Sequence, residues 1–538
     1  MIDLPQRNRR WVWVAILIVI GYAAVLATGS VEDFPDSLHT EAYMPHLSDK
    51  PVGEDGYYML TVAWHTAQGD LLEYNYNQKT TGIQPLGTIL YSSIAWIVQR
   101  FGGDRWTFVR AVILLGALVH VTFSLLIGAT ARAVSREEQR ANLAFLVGTA
   151  LSLLNFDLFR TFTYGLETGF YLAGLAACVL WTLRQEKITL SRALVFGGIL
   201  GIIGLTRIDF GIIVALLLFG FLLQRLISLT GACVTGAIAL SIVAPWFMWV
   251  HQVTGEWLPS SGTAQGSLMD VSNFGPRLTQ VLKVIINHAT PWMYTGGWVS
   301  LTIVAGGTLL AAGGALWTLR RPDQAPTFRV DKLSVMRAWT GAVASLIFVY
   351  PVFFWATHFY ARYTTPILVV LLPVLAVGLT GWVSQKYLSW IRQLVVPVLA
   401  LCFFVWAVAS LHTGRIGNSH AVTAGYVKER VPNTYKVGAF QSGVIGFFNS
   451  NVVNLDGKID HQALPHLKTG TMRKHVEQEQ VDVIVDWKSA LSKFSNKYMD
   501  KKWSPCIESI PNGMSFCRVR KSLYPLAKTN VKITPQSK

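Results

Sequence analysis

Long apolar runs recur along most of the chain, separated by short polar connections. Runs of this length predict helices that cross a bilayer, where only helices and closed barrels satisfy every backbone group. They fall at 11–28, 106–131, 141–155, 163–183, 190–206, 210–227, 230–250, 294–318, 337–355, 364–383 and 392–411, about eleven crossings. The first run follows Arg7, Arg9 and Arg10 and has no small-residue cleavage site, so it reads as an uncleaved helix with a cytoplasmic N-terminus. The later connections agree. Arg132, Arg136 and Arg140, then Arg184, Lys187 and Arg192, then Arg225, then Arg320 to Arg337, then Lys386 and Arg392 make every second connection basic. An odd number of crossings puts the C-terminal region outside.

One segment breaks the parity. Residues 83–99, IQPLGTILYSSIAWIVQ, are apolar enough to cross, yet a crossing there would invert every later loop. They are expected as a helix at or partly in the outer leaflet, with a second surface helix over 58–72. The remaining outer connections, 155–169, 205–211, 251–288 and 357–366, each carry ionisable or hydroxyl groups close to a helix end. Together they could line one outward-facing cavity. The spans themselves are almost free of charge in their middles.

From 413 to 538 the pattern changes to that of a small polar domain. YKVGAF (435–440), NVVNL (451–455) and VDVIVDW (481–487) predict strands, with helices over 442–449 and 464–480 between them. That alternation is α/β. The expected fold class is therefore an all-α polytopic membrane domain, 1–412, with a long first outer loop at 29–105, followed by a soluble α/β domain at 413–538.

Composition supports this. Hydrophobic residues make up 52% and charged residues 14% of the 538, against about a quarter charged in a soluble domain. The net charge of +16 sits mostly at the ends of apolar runs and in the C-terminal region. Basic inner loops against an anionic leaflet explain it better than nucleic acid, which is not expected as a partner. Cys178, Cys233 and Cys402 lie in apolar runs as packing residues, while Cys506 and Cys517 could pair if the C-terminal region faces an oxidising compartment. No CxxC metal spacing occurs.

The chemistry-bearing stretch is PVGEDGYYML (51–60), where Glu54 and Asp55 stand between two glycines. Two readings remain open: solvated acids capping a helix start, or a general base at the membrane surface.

The stretches EDGYYMLTVAWHTAQGDL (54–71), TTGIQPLGTIL (80–90), YGLETGFYLA (164–173), LTRIDF (205–210), GEWLPSSGTA (255–264) and ARYTTPILVVLLP (361–373), in this order and sidedness, resemble the GT-C membrane glycosyltransferases. Bacterial arabinofuranosyltransferase-like members are the most similar. The family pattern has two aspartates, or an aspartate and a glutamate, where this chain has Glu then Asp. It often has LPNT where this chain has LPSS (258–261).

The resemblance implies an inverting transferase. It would move a pentose such as arabinofuranose, or a hexose, from a polyprenyl-phosphate donor to an envelope glycan or lipid acceptor, at the outer face of the cytoplasmic membrane. Glu54 or Asp55 would be the base. Arg362, with His358 and Arg207, would meet the donor phosphate, although Arg207 and Asp209 could simply pair. Glu167, Tyr57, Tyr58, Ser260 and Ser261 would contact sugar. Interfacial anchoring is the plainer role for the tyrosines, and for Trp64 and His65. A divalent metal could assist the leaving phosphate. Asp456, Lys458 and Asp460 could meet a glycan, though a strand-end turn at Gly457 is the plainer reading. The competing functions are a transporter or lipid flippase, and a non-catalytic envelope-assembly subunit with an outer binding domain.

Overall fold

The structure is a computed structural model describing residues 5–28, 51–75, 79–265, 273–290, 328–354, 360–382, 387–414, 419–491, 507–510 and 514–518. Among the described residues, six helices are long and apolar enough to cross a membrane: Gln6–Ala27, Arg105–Val134, Leu229–Thr254, Asp331–Phe353, Tyr360–Gly381 and Leu388–Leu411. The helix pair Glu138–Leu153 and Phe156–Thr163, bent by 62°, passes the same test only when its two members are taken together. Three shorter apolar helices, Thr168–Leu183, Leu190–Gly204 and Phe210–Leu223, stand beside them among the described residues. These match every expected run except 294–318, which lies outside the described residues. Large apolar side chains such as Leu194, Phe219, Leu240, Leu401 and Phe404 point outward from the bundle. Such a surface suits lipid and not water. The chain is a multi-pass membrane protein.

The two ends of the bundle differ in chemistry. At one end Arg132, Arg136, Arg184 and Arg329 surround a single recess, and Phe328 bridges Ser135. At the other, the connections after residues 51, 163, 205, 258 and 360 meet one another. Gly53 donates to the Tyr164 carbonyl, Glu167 pairs with Arg207, and Asp55 pairs with Arg362. One end is thus lined by arginines and the other by mixed acidic and basic pairs.

The ambiguous segment is the helix Pro85–Arg100. Leu86, near its start, donates to the Leu205 carbonyl, and Gln99, near its end, donates to the Trp64 carbonyl. Both acceptors lie on the Asp55 side, so this helix starts and finishes at the same end of the bundle. The other surface helix, Glu54–Gln68, begins four residues earlier than the sequence pattern suggested. One helix was not expected: Phe156–Thr163 lies in what reads as an outer connection. Asn155 explains its separate start. Its side chain accepts from the Leu158 amide and donates to the His288 carbonyl, so it caps one helix and ties it to another.

The C-terminal region forms a five-stranded sheet of order β2-β1-β3-β5-β4. Strands β1 (Val437–Ala439), β2 (Val452–Asn454) and β3 (Val483–Asp486) are parallel, with Val437 opposite Val452 and Val483. They fall where the three apolar pulses predict them. Val483 and Val485 pack toward the bundle side and Ile484 toward the opposite core, as the period of two requires. Both faces are covered, which is why these strands read as unbroken apolar runs. The antiparallel hairpin β4 (Ile507–Ser509) and β5 (Ser515–Arg518) extends the sheet and was not foreseen. Cys506 and the Cys517 side chain lie outside the described residues, and with them the proposed disulfide.

Candidate functional site

The helix Glu54–Gln68 starts at Gly53 and places two carboxylates in its first turn, where the helix dipole favours negative charge. Gly56 is required there. A Cβ on it would stand 2.1 Å from the Tyr164 carbonyl oxygen, so the helix start can press against the 164–168 connection only without a side chain.

The two acids then diverge. Glu54 turns to the sheet region, where its oxygens accept from the Gly443 amide at 2.5 Å and the Val444 amide at 2.9 Å. Burial pushes its carboxyl above the ordinary glutamate value, against the pull of His420 and of these two amides. Its position is that of a capping and docking residue, and both of its oxygens are already engaged. Asp55 turns the other way. One carboxylate oxygen lies 3.4 Å from Arg362 Nη1 and the other 3.8 Å from Lys458 Nζ.

Asp55 and Arg362 line a cavity of about 230 Å³, together with Asp157, Arg160, Thr161 and His288. The last four were missed as site residues in the sequence. The signal was there: Asn155 is a cap residue, and Phe156, Phe159 and Phe162 repeat every three positions. Those phenylalanines are buried, which leaves Asp157, Arg160 and Thr161 on the cavity face. Asp157 and Arg160 are 3.9 Å apart.

Arg207, expected either at the donor phosphate or paired with Asp209, is held here by carboxylates. Its Nε and Nη2 reach Asp209 at 3.0 and 2.7 Å, and its Nη1 reaches Glu167 at 3.2 Å. Tyr350 donates to the same Asp209 carboxylate. Arg207 also lies over the Tyr363 ring, 4.8 Å from its centroid, while Arg362 lies 5.3 Å from it. The network therefore braces the tyrosine beside Arg362. Glu167 is buried in this network and does not line the cavity.

The expected sugar contacts resolve differently as well. Tyr57 is buried and packs at a tilt against Phe447, with ring centroids 5.2 Å apart. The Tyr58 hydroxyl donates to the Phe440 carbonyl and accepts from the Ser442 amide. Ser260 donates to the Lys458 carbonyl at 2.7 Å. All three are cement between the membrane bundle and the sheet, while Ser261 is half-buried beside Ser260. Trp64 is buried with its ring tilted against Phe108, and His65 lies 3.5 Å from Arg105. His358 lies outside the described residues.

Among the described residues, no three His, Cys, Asp or Glu side chains converge closely enough to hold a metal ion. Asp55 faces two cations of the chain itself.

No family model and no curated protein sequence matches the chain. Solved structures do. The apo crystal structure of the Archaeoglobus fulgidus oligosaccharyltransferase is similar over 97% of this chain and 75% of its own, with a TM-score of 0.53 and 12% identity. The same enzyme tethered to an acceptor peptide containing the NVT sequon gives a TM-score of 0.51 at 11% identity, over 97% and 75% of the two chains. Its complex with an inhibitory peptide and a dolichol-phosphate gives 0.50 at 11%, over 97% and 76%. At these identities the likeness is one of fold, and it spans both the bundle and the sheet: the chain has the GT-C fold.

Proposed function

We propose that this chain is an inverting glycosyltransferase of the outer face of the cytoplasmic membrane, with its N-terminus in the cytoplasm and residues 413–538 outside. It moves one sugar, a pentose such as arabinofuranose or a hexose, from a polyprenyl-phosphate donor to an envelope glycan or lipid. The observation that carries this reading is Asp55: a carboxylate at the wall of a small cavity, 3.4 Å from a guanidinium at the start of a membrane helix. The cavity is below the roughly 300–1,000 Å³ of pockets for drug-sized ligands, which suits one sugar ring better than a glycan chain.

In the reaction, Asp55 takes the proton of the acceptor hydroxyl. The hydroxyl oxygen bonds to the anomeric carbon on the face opposite the phosphate. The bond from that carbon to the phosphate oxygen breaks, and its electron pair stays on the phosphate. The phosphate thereby passes from one negative charge to two, and Arg362 stabilises the added charge. Asp157, Arg160, Thr161 and His288 face the same space and offer hydrogen bonds to sugar hydroxyls.

The test is transfer by purified protein from a panel of labelled polyprenyl-phosphate sugars to membrane-extracted acceptors. Asp55→Asn should lower turnover by about a hundredfold to ten-thousandfold, the usual worth of a positioned base, when compared as folded protein. Turnover equal to wild type in that variant would remove Asp55 from the chemistry. Movement of intact donor across vesicles without transfer would favour a flippase.

A further inference from the structure

We infer that Lys458 is a donor-phosphate residue, carried by the sheet region into the membrane site, so that Lys458 and Arg362 together seat the phosphate at Asp55. This rests on the proposed transferase reading and adds a residue, and a docking requirement, that the reading does not contain.

The lysine follows β2 in the turn Asp456–Gly457–Lys458, where Gly457 has φ of +73°. Its ammonium lies 3.8 Å from Asp55 and 3.3 Å from Asp456. A strand-end turn would end in solvent if it served only to reverse the chain. This one is fixed from three directions. Ser260 donates to the Lys458 carbonyl at 2.7 Å. Thr80 donates to the Ile459 carbonyl at 2.6 Å. Asp456 accepts from the Lys458 amide at 2.8 Å. Gly82 closes the approach, because a Cβ there would stand 1.8 Å from the Lys458 carbonyl oxygen. The first outer loop, the 255–264 connection and the sheet thus all act to hold one lysine against Asp55.

The charges explain the choice of residue. Burial alone would lower the Lys458 ammonium's pKa, but Asp456 and then Asp55 outweigh it and hold it above the ordinary lysine value. Lys458 is therefore a fixed cation at neutral pH. Arg362 takes one oxygen of Asp55 and Lys458 the other. Before the step the singly charged donor phosphate lies beside the ionised Asp55, and two fixed cations offset that repulsion; as Asp55 takes the proton, the same cations stabilise the second charge that develops on the phosphate. A lysine suits the task as a compact charge, with Arg362 supplying the planar fork.

The probe is undecaprenyl monophosphate, the leaving group common to any undecaprenyl-linked sugar, compared with undecaprenol. Binding is measured on the full chain in phosphatidylcholine nanodiscs. Wild type should prefer the monophosphate. Lys458→Gln should weaken monophosphate binding about tenfold to a hundredfold, as expected for a lost charge-assisted contact. Lys458→Arg should restore most of it, and undecaprenol binding should not change in either. If Arg362→Gln loses the preference while Lys458→Gln keeps it, or if Lys458→Arg fails to restore it, the inference is overturned and the transferase reading stands. An equal loss for undecaprenol makes Lys458 a structural residue only and also overturns it. If wild type does not distinguish monophosphate from alcohol, both fall. Should Lys458→Gln not fold, amine acylation of the wild type decides: the monophosphate, and not undecaprenol, must shield Lys458.

Discussion

Glu54→Gln separates docking from chemistry at adjacent residues. Glu54 accepts two backbone N–H groups, those of Gly443 and Val444, at the start of the short helix Gly443–Phe448. Glutamine keeps one acceptor oxygen and turns its NH2 group toward the other amide, leaving a buried donor facing a donor. A hydrogen bond to a charged group is worth about 1.5–3 kcal/mol, and an unsatisfied buried group costs about as much. Against this, the variant avoids burying a charge, whose cost shows in the raised Glu54 pKa. The net loss should be about 2 kcal/mol, all of it at the seam between the helix Glu54–Gln68 and the sheet region. Hydrogen exchange measured at residues 443–448 reads this directly. Opening there should become easier by roughly thirtyfold, since 1.4 kcal/mol is a factor of ten. Exchange in the membrane helices should be unchanged, and turnover should fall only as far as the seam is open. Unaltered exchange at 443–448 together with abolished turnover would refute the division of labour, and would make Glu54 the base.

Three further outcomes follow from the packing. Gly82→Ala should force the Lys458 carbonyl away, at a cost of about 1–3 kcal/mol for overpacking, and should raise the KM for donor more than it lowers kcat; unchanged kinetics would show that the turn tolerates displacement. Arg207→Ala should destabilise the protein by about 3–5 kcal/mol, because Glu167 and Asp209 are left without the cation that pairs them in a buried site; a melting temperature equal to wild type would contradict this. Lys458 has a raised pKa in the folded chain, so its contribution to docking is fully present below its ordinary value of 10.5 and is lost as pH rises through the folded value. Protease sensitivity of the seam should increase above about pH 10.5 in wild type, and this alkaline step should be absent in Lys458→Gln.

The membrane helices were legible because each is written in its own residues. A run of apolar side chains must leave water whatever surrounds it, and the basic connections fix how successive runs alternate. The same holds for β1, β2 and β3, whose valine and isoleucine pulses are buried on both faces. The hairpin β4–β5 was not legible, since its short strands lack such a pulse and are defined by pairing with β3. Phe156–Thr163 was half legible, through its cap and its phenylalanine spacing.

The site divides in the same way. The sequence alone pointed to ionisable connections that could meet at one end of the bundle, and offered Glu54 and Asp55 either as a helix cap or as a base. It left their roles symmetric, because neighbours in a chain look alike until something packs against them. Tertiary structure broke the symmetry. Successive side chains on a helix point about 100° apart, so Glu54 meets the amides of Gly443 and Val444 while Asp55 meets Arg362 and Lys458. Arg362 is 307 positions from Asp55 and Lys458 is 403. Distances of that order carry no local signal, and only the docking of the sheet against the bundle brings the three charges together.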